Sequence, residues 1–194
     1  MYNYVQMVKL LVGRSNKSDV YEYNQIREVA KMVTMTKRAE QKHQQLKDIY
    51  FLRGLTDDEL AKIASLCKED HFAVGSLCQS VGSLVTKVNF IVEGKIGVEF
   101  HVPGVVQSGN DFILYTLDEG GVFGWSALIK DTPWSSMRVL EPTTVWSIEA
   151  DELLELCESN CNLGYVIFKN LSSLLSTRLR RNRTATLNAI AAIR

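Results

Sequence analysis

Residues 120–139 read GGVFGWSALIKDTPWSSMRV, and this stretch decides how the chain is interpreted. Glycines at positions 120, 121 and 124 surround an aromatic residue, and small residues follow them. Glycine permits tight turns and a close approach of a bound group to the backbone, so the pattern is typical of a phosphate cradle. Yet no acidic residue follows Gly124, and no arginine stands where a phosphate would need one. The segment either still binds a charged ligand or keeps only the shape of such a site.

The residues around this stretch predict many short β-strands separated by glycine. Val, Ile, Phe and Tyr favour strands, and they are concentrated between Phe72 and Ile148. The predicted strands are VNFIVEG, KIGVEFHV, DFILYTL and RVLEPTTVWSI. Short strands at nearly regular spacing indicate a barrel or a jelly-roll sandwich.

Helical patterns flank the predicted strands on both sides. Residues 20–47 contain no Pro or Gly and are rich in strong helix formers. Thr56 and Glu59 fit a capping box at the start of a second helix. Residues 150–160 and 161–194 have helical spacing and no proline. The last segment carries an apolar stripe: Ile167, Leu171, Leu174 and Leu175.

The overall charge argues against general attraction to nucleic acid or to anionic lipid. The chain has 22 Lys and Arg against 22 Asp and Glu, so its formal net charge is zero. No apolar run approaches the roughly 18 residues that a membrane helix needs. The first residues show no signal-peptide pattern. We therefore expect a cytoplasmic protein with no membrane partner.

Metal and catalytic chemistry find no support in the sequence. A metal site needs clustered His with carboxylate or thiolate ligands, and the histidines are scattered. They are His43, His71 and His101. No nucleophile elbow of the GxSxG type occurs, since FGWSAL does not fit it. We predict no metal site, no catalytic residues and no enzymatic activity.

The order of these elements resembles the cyclic nucleotide-binding domain family, which includes the catabolite activator protein and the regulatory subunits of cyclic AMP-dependent kinase. The residues that carry the resemblance are VGSLCQSVGS at 74–83, FIVEGKIGV at 90–98, GGVFG at 120–124 followed by SAL, and the apolar Ile148 before a helix. The resemblance extends from near Phe51 to near Arg183. It implies a mainly β fold with flanking helices: a β-roll (a double-stranded β-helix or jelly roll), N-terminal helices and a long C-terminal helix.

The patterns along the chain divide it into three regions. Residues 1–50 are expected to form an N-terminal helical extension, residues 51–155 the β-roll, and residues 156–194 a C-terminal helix of the dimerisation type. The apolar stripe of that helix favours a homodimer, because a lone terminal helix would otherwise leave one face wet. Packing back onto the chain's own roll is the alternative.

In the resembling family, residues 120–139 correspond to the phosphate-binding cassette, and we use the name cassette for them. A glutamate after the Phe-Gly pair there accepts from the ribose 2′-hydroxyl, and a later arginine pairs with the phosphate. Here Trp125 holds the glutamate position, and Trp134 (or Pro133, with a gap of one residue) holds the arginine position. Ser135 and Ser136 match the small residues that follow the arginine.

The loss of two charged contacts has a large expected effect on affinity. A hydrogen bond to a charged group contributes roughly 1.5–3 kcal/mol. Two such losses remove about 3–6 kcal/mol, or roughly two to four powers of ten in affinity. A micromolar cyclic nucleotide site would become millimolar or weaker.

Two questions about the cassette stay open at this point. Arg138 and Lys130 are conceivable substitutes for the missing cation, although solvated surface charges are the commoner use of such residues. Trp125 and Trp134 either fill the vacated pocket or line a new one, and their volume favours filling. If a ligand binds, we expect these residues to frame it: Phe123, Gly124, Trp125, Ser126, Ala127, Ser135 and Ser136, with Arg138 as a further candidate.

The sequence favours a non-enzymatic regulatory or sensor module with a degenerate ligand site and weak or absent binding of cyclic AMP and cyclic GMP. No cofactor is expected beyond a cyclic nucleotide or another small anion. The alternatives are a structural dimer that has lost ligand binding and the remnant of a transcription regulator. DNA is an improbable partner without a helix-turn-helix domain, and a protein partner is unidentified. The four arginines within residues 178–183 are interpreted as a solvated helix face.

Overall fold

The computed structural model describes residues 17–100 and 112–192. Parts of four predictions lie outside these residues: the start of the extension over 1–50, the end of the strand KIGVEFHV, the first residue of the strand DFILYTL, and the last two residues of the C-terminal helix. The chain separates into two units, one ending at Lys42 and the other beginning at His43.

The described residues contain four α-helices, which match the helical patterns of the sequence. Their bounds are α1 Lys17–Asp48, α2 Asp57–Leu66, α3 Ala150–Ser159 and α4 Cys161–Ala192. Short 3-10 helices occur at Tyr50–Leu52 and at Trp125–Ile129. Within the described residues, no helix is both long and apolar enough to cross a membrane.

The strands form one antiparallel sheet of six strands in the described residues. Their bounds are β1 Lys68–Phe72, β2 Leu77–Gln79, β3 Lys87–Phe100, β4 Phe112–Leu117, β5 Val122–Phe123 and β6 Ser136–Glu149. The order is β1-β6-β3-β4, while β2 also pairs with β6 and β5 with β3. The predicted fold class, a mainly β roll with flanking helices, is confirmed.

The long strands β3 and β6 bend together where Gly94 lies. Their register runs from Lys87 opposite Glu149 to Glu99 opposite Ser136, with shifts on both sides of Glu93. Gly94 has a φ of +96°, and a Cβ there would meet the backbone of Pro142 and Thr143. Glycine is therefore required at this bend, both for its conformation and for space.

The core of the roll is built from two clusters of buried side chains. One fills the roll itself and includes Ile91, Ile96, Val98, Leu117, Phe123, Met137 and Val145. The larger cluster joins the roll to the helices, from Leu46 and Phe51 through Ile63 and Trp146 to Leu153 and Ile167. The position of the cassette is thus set by packing on both sides of the sheet.

The apolar stripe of α4 packs against the chain's own core. Ile167 and Leu171 are almost completely buried. Leu174 and Leu175 are partly buried against the same cluster. The expectation that this stripe would be left wet without a second subunit is therefore wrong, because the chain's own core covers it. A homodimer stays a prediction, without that support.

Glu59 connects α2 to the junction between α3 and α4. The predicted capping box is confirmed: Thr56 N–H donates to Glu59 Oε2 at 2.9 Å, and Glu59 N–H donates to Thr56 Oγ1 at 3.3 Å. The side-chain amides of Asn160 and Asn162 each donate to Glu59 Oε1 at 3.0 Å. The Thr56 backbone hydrogen bond, followed by that of Asn162, lowers the pKa of Glu59 from 4.5 to about 2.

Replacing Glu59 tests this junction. We expect Glu59→Gln to lower the free energy of unfolding at neutral pH by about 1–2 kcal/mol, because the variant keeps the shape but loses the charge that accepts four hydrogen bonds. The folded pKa is lowered, so the extra stability of the wild type is complete above pH 4.5 and is lost as pH falls toward 2. Urea denaturation across this range measures the difference. Asp58→Asn, at the exposed neighbouring position, is the control. Its difference in unfolding free energy from the wild type should not shrink in the same way as pH falls.

Candidate functional site

The cassette begins with a tight turn that leads into β5. Gly121 N–H donates to Asp118 O at 2.8 Å, and Gly120 N–H donates to Ile91 O at 2.9 Å. Gly120 has a φ of +80°, which glycine adopts without strain. Strand β5 then pairs Val122 with Phe90 and Phe123 with Asn89. The entrance of the cassette is thereby fixed to the middle of the roll.

Gly124 stands at the point where β5 turns into the short helix Trp125–Ile129. Its φ is +77°, and a Cβ there would overlap the backbone carbonyl of Lys87 and lie 3.0 Å from Asn89 Nδ2. The carbonyl of Gly124 accepts from Ala127 N–H at 3.1 Å, which closes the first turn. The segment that follows Phe-Gly is therefore a short 3-10 helix.

The inner face of this helix is closed by its own packing. Ser126, Ala127 and Leu128 are buried, and the last two belong to the main core cluster. Lys130 ends the helix in the left-handed conformation with a φ of +53°, and its side chain is exposed. Lys130 thus fits the interpretation of a solvated charge.

Trp134 points away from the core. Its side chain is 78% exposed, although the preceding Pro133 is buried and its carbonyl accepts from Gly82 N–H at 3.0 Å. The expectation that both indoles fill the vacated pocket is therefore wrong for Trp134. Residue volume alone does not determine burial, and the buried Pro133 leaves the next side chain on the outside of the turn.

Ser135 and Ser136 connect the end of the cassette to β2 and its following loop. Ser135 O accepts from Gln79 Nε2 at 3.2 Å. Ser136 Oγ accepts from Val81 N–H at 3.2 Å. Both serines are half-buried. The positions that match the family's small residues are thus held by protein contacts, and their ligand role stays a prediction.

Arg138 forms an ion pair on the sheet. Its guanidinium donates through Nε and Nη2 to the two carboxylate oxygens of Glu99, and through Nη1 to Gly75 O at 3.1 Å. The Glu99 side chain is only 4% exposed. The interpretation of Arg138 as a solvated surface charge is wrong. A ligand that used Arg138 would have to compete with a buried carboxylate, which makes Arg138 a poor substitute for the missing cation.

Trp125 lies at the contact between the cassette and α4. It is half-buried and packs against the main core cluster. The guanidinium carbon of Arg178, on α4, lies 5.7 Å from the centre of the Trp125 ring, within cation–π range. Arg178 also donates through Nη2 to Val122 O. Arg178 of the last helix thus contacts the cassette at Val122, before Gly124, and at Trp125, directly after it.

Sequence reasoning missed Arg178. The run of four arginines was interpreted as one solvated face, but Arg178 is only 9% exposed. The spacing of Arg178 from the apolar stripe of α4 indicates its burial. Arg178 lies seven residues after the buried Leu171, so the two residues share a face of α4.

A cleft of about 390 Å³ adjoins the cassette on the side of β2. Its lining includes Gln79, Lys87 and Asn89, which contact the cassette at Ser135 and near Gly124. Cys78 also lines it, and burial raises the pKa of this thiol to about 12, so the thiolate is scarce at neutral pH. Among the residues described, no group of three or more His, Cys, Asp or Glu side chains could hold a metal ion.

The family model of the cyclic nucleotide-binding domain matches residues 63–160, about half of the chain. The chain belongs to the cyclic nucleotide-binding domain family. The matched segment contains the whole roll from the end of α2 to the end of α3, with the cassette inside it. No significant match is found among curated proteins.

Solved structures of three organisms share this fold. A candidate cyclic nucleotide-binding protein from Geobacter metallireducens GS-15 is 29% identical, with coverage of 66% of this chain and 91% of its own and a TM-score of 0.55. A cyclic nucleotide-binding domain from Methylobacillus flagellatus KT is 18% identical, with coverage of 78% and 85% and a TM-score of 0.69. The catabolite activator protein of Thermus thermophilus is 21% identical, with coverage of 73% and 63% and a TM-score of 0.59.

The geometry at Gly124 makes a direct prediction. We expect Gly124→Ala to destabilise the fold by about 2–4 kcal/mol, because the new Cβ meets backbone as well as adopting a strained φ. Gly82→Ala is the matched control, since Gly82 has a φ of +70° but no atom within 4 Å of an added Cβ. It should cost only about 1 kcal/mol. Chemical denaturation of both variants measures the difference, and equal losses would contradict the close packing at Gly124.

Proposed function

We propose that the chain is a non-enzymatic regulatory or sensor module whose cassette binds cyclic AMP and cyclic GMP weakly or not at all. The observation that carries this proposal is the pair of tryptophans at the two charged positions of the cassette. Trp125 has no carboxylate to offer a ribose, and the indole of Trp134 has no positive charge and lies outside the core. The frame of the site is present, but its two ionic contacts are absent.

The remaining charges near the cassette support the same proposal. Arg138 is paired with Glu99, and Lys130 extends from the far end of the short helix. Neither replaces a cation at the Trp134 position without rearrangement. The catabolite activator protein of Thermus thermophilus and the regulatory domain of Toxoplasma gondii cyclic AMP-dependent kinase, which was solved with cyclic AMP, share the fold at TM-scores of 0.59 and 0.58. A regulatory domain with this roll that binds cyclic AMP supports a regulatory role for the roll of this chain.

A structural or interaction role is the second candidate, and the outer surface of α4 favours it. Tyr165, Phe168 and Leu179 are exposed, at 65%, 39% and 72%. Their spacing places them near one line along the helix, on a side not covered by the roll. We propose a homodimer through this surface.

Sedimentation equilibrium of the full chain tests this proposal, and we expect the mass of a dimer. A monomer at high protein concentration would remove the second candidate.

The sensor proposal is tested by restoring the missing charges. Titration calorimetry of the wild type with cyclic AMP and cyclic GMP should give no saturable heat below millimolar concentrations. The double variant Trp125→Glu, Trp134→Arg should bind cyclic AMP at least about 100-fold more tightly, because each restored charged contact contributes roughly 1.5–3 kcal/mol.

The control for this experiment is the double variant Trp125→Gln, Trp134→Gln. It removes the same indoles without adding charge, so it should not gain affinity. Saturable micromolar binding by the wild type would show that the cassette works without its charged pair and would contradict the proposal. Equal gains in the two double variants would show that the indoles block the site sterically and that charge is not the limiting factor.

A further inference from the structure

The most unusual charge in the described part of the chain is the guanidinium of Arg178. It is only 9% exposed, and burial lowers its pKa. Burial of a cation is costly unless an anion or several hydrogen-bond acceptors compensate it. Arg178 contacts the carbonyl of Val122 and the ring of Trp125. One carbonyl and one aromatic face compensate a guanidinium only in part, since it carries five N–H donors.

A second arginine increases the positive charge at this place. Arg181 lies three residues later on α4, and its guanidinium carbon is 5.9 Å from the centre of the Tyr115 ring. Burial is the main reason that the pKa of Arg178 is lowered; the nearby Tyr115 raises it, and the charge of Arg181 lowers it by a smaller amount. Arg178 thus lies against Trp125 of the cassette, and the exposed Arg181, one turn later on α4, lies against Tyr115 of β4.

No carboxylate in the described residues neutralises this pair. The ion pairs of the roll are elsewhere: Lys87 with Asp70, Lys95 with Asp118 and Glu141, and Arg138 with Glu99. The position after Gly124, where a carboxylate would face Arg178, holds Trp125. The folded chain therefore holds the buried charge of Arg178 one helical turn from the exposed charge of Arg181, at an energetic cost that an external anion would offset.

We propose that Arg178 and Arg181 form an anion site on α4, next to the cassette, for a small ligand that carries a phosphate monoester. Guanidinium groups match phosphate oxygens in shape and charge and bind them through paired hydrogen bonds. Two adjacent guanidiniums favour a dianion over the single charge of a cyclic phosphodiester. The proposal rests on the proposed function in one respect, namely that the cassette has lost its own charged contacts.

The cations of the proposed site belong to a helix, whereas the phosphate-binding arginine of the resembling family lies next to a strand. In the resembling family, an arginine just before β6 would hold the phosphate, whereas here both cations belong to α4. A bound dianion would therefore contact the helix directly, while Val122 and Trp125 hold the same helix against the cassette. Occupancy would tighten the contact between α4 and the roll, which provides a route from ligand to helix position.

The test is titration calorimetry of the full chain at low salt and slightly alkaline pH with inorganic phosphate, ribose 5-phosphate, 5′-AMP and cyclic AMP. We expect saturable binding of at least one monoester, and 5′-AMP should bind at least about 10-fold more tightly than cyclic AMP. Arg178→Gln should weaken monoester binding by about 10- to 100-fold, and Arg181→Gln by several-fold. Arg180→Gln, an exposed arginine of the same helix, is the control and should change affinity less than about twofold.

Each other outcome has a defined meaning. If no monoester binds up to low millimolar concentration, or if Arg178→Gln binds as the wild type does, the anion site is wrong and Arg178 serves only to hold α4. Binding of inorganic phosphate alone, equal in all variants, also overturns it. If Arg178→Gln does not fold, Arg178→Lys and Arg181→Gln decide, since both retain most of the local packing. Tight cyclic AMP binding would overturn the proposed function instead, so the two failures are distinguishable.

Discussion

The antiparallel pairing of β3 with β6 is the constraint on which the rest of the structure depends. Every other strand in the described residues pairs with one of these two. Strand β5, near the start of the cassette, is held by the first half of β3, and the last residues of the cassette, from Ser136, belong to β6. The cassette is therefore a loop with both ends anchored on the same ribbon. Its frame persists for reasons of folding, whether or not a ligand binds in it.

Glycine is needed where the cassette meets this ribbon. Gly124 approaches the backbone of Lys87 so closely that a side chain has no room, and Gly94 approaches Pro142 in the same way at the bend of the ribbon. These glycines serve the packing of backbone on backbone. Their presence therefore supports the fold and carries no information about a ligand.

The arginines around the cassette differ in their partners. Arg138, which lies in the cassette at the start of β6, is paired with Glu99, and the buried carboxylate makes this pair costly to break. Arg178 reaches the cassette from α4 without an acidic partner among the described residues. Arg178 thus brings positive charge to the cassette from the helix. The residues that define the fold are therefore different from the residues that would bind a ligand.

Local patterns in the sequence predicted the fold well. The capping box at Thr56 and Glu59, the glycine turns and the alternation of strands with turns all depend on neighbouring residues, which the sequence displays directly. The failures concern contacts between distant elements. Arg178 and Trp134 were misjudged because burial depends on which face of a helix or turn packs on the roll, and composition does not show this. The partner of Arg138 could not be predicted either, since Glu99 lies 39 positions away in the chain.

The most direct test of the central claim, a preserved frame without its ionic contacts, is amide NMR of the labelled full chain during titration with cyclic AMP. Our account predicts that the amide signals of Gly124, Trp125, Ser126 and Ala127 are sharp and dispersed, as expected for a folded cassette, and that they do not shift below millimolar cyclic AMP. Saturable shifts of these amides with a micromolar midpoint would contradict the account, because they would show a working cyclic nucleotide site in a cassette that lacks both charged residues.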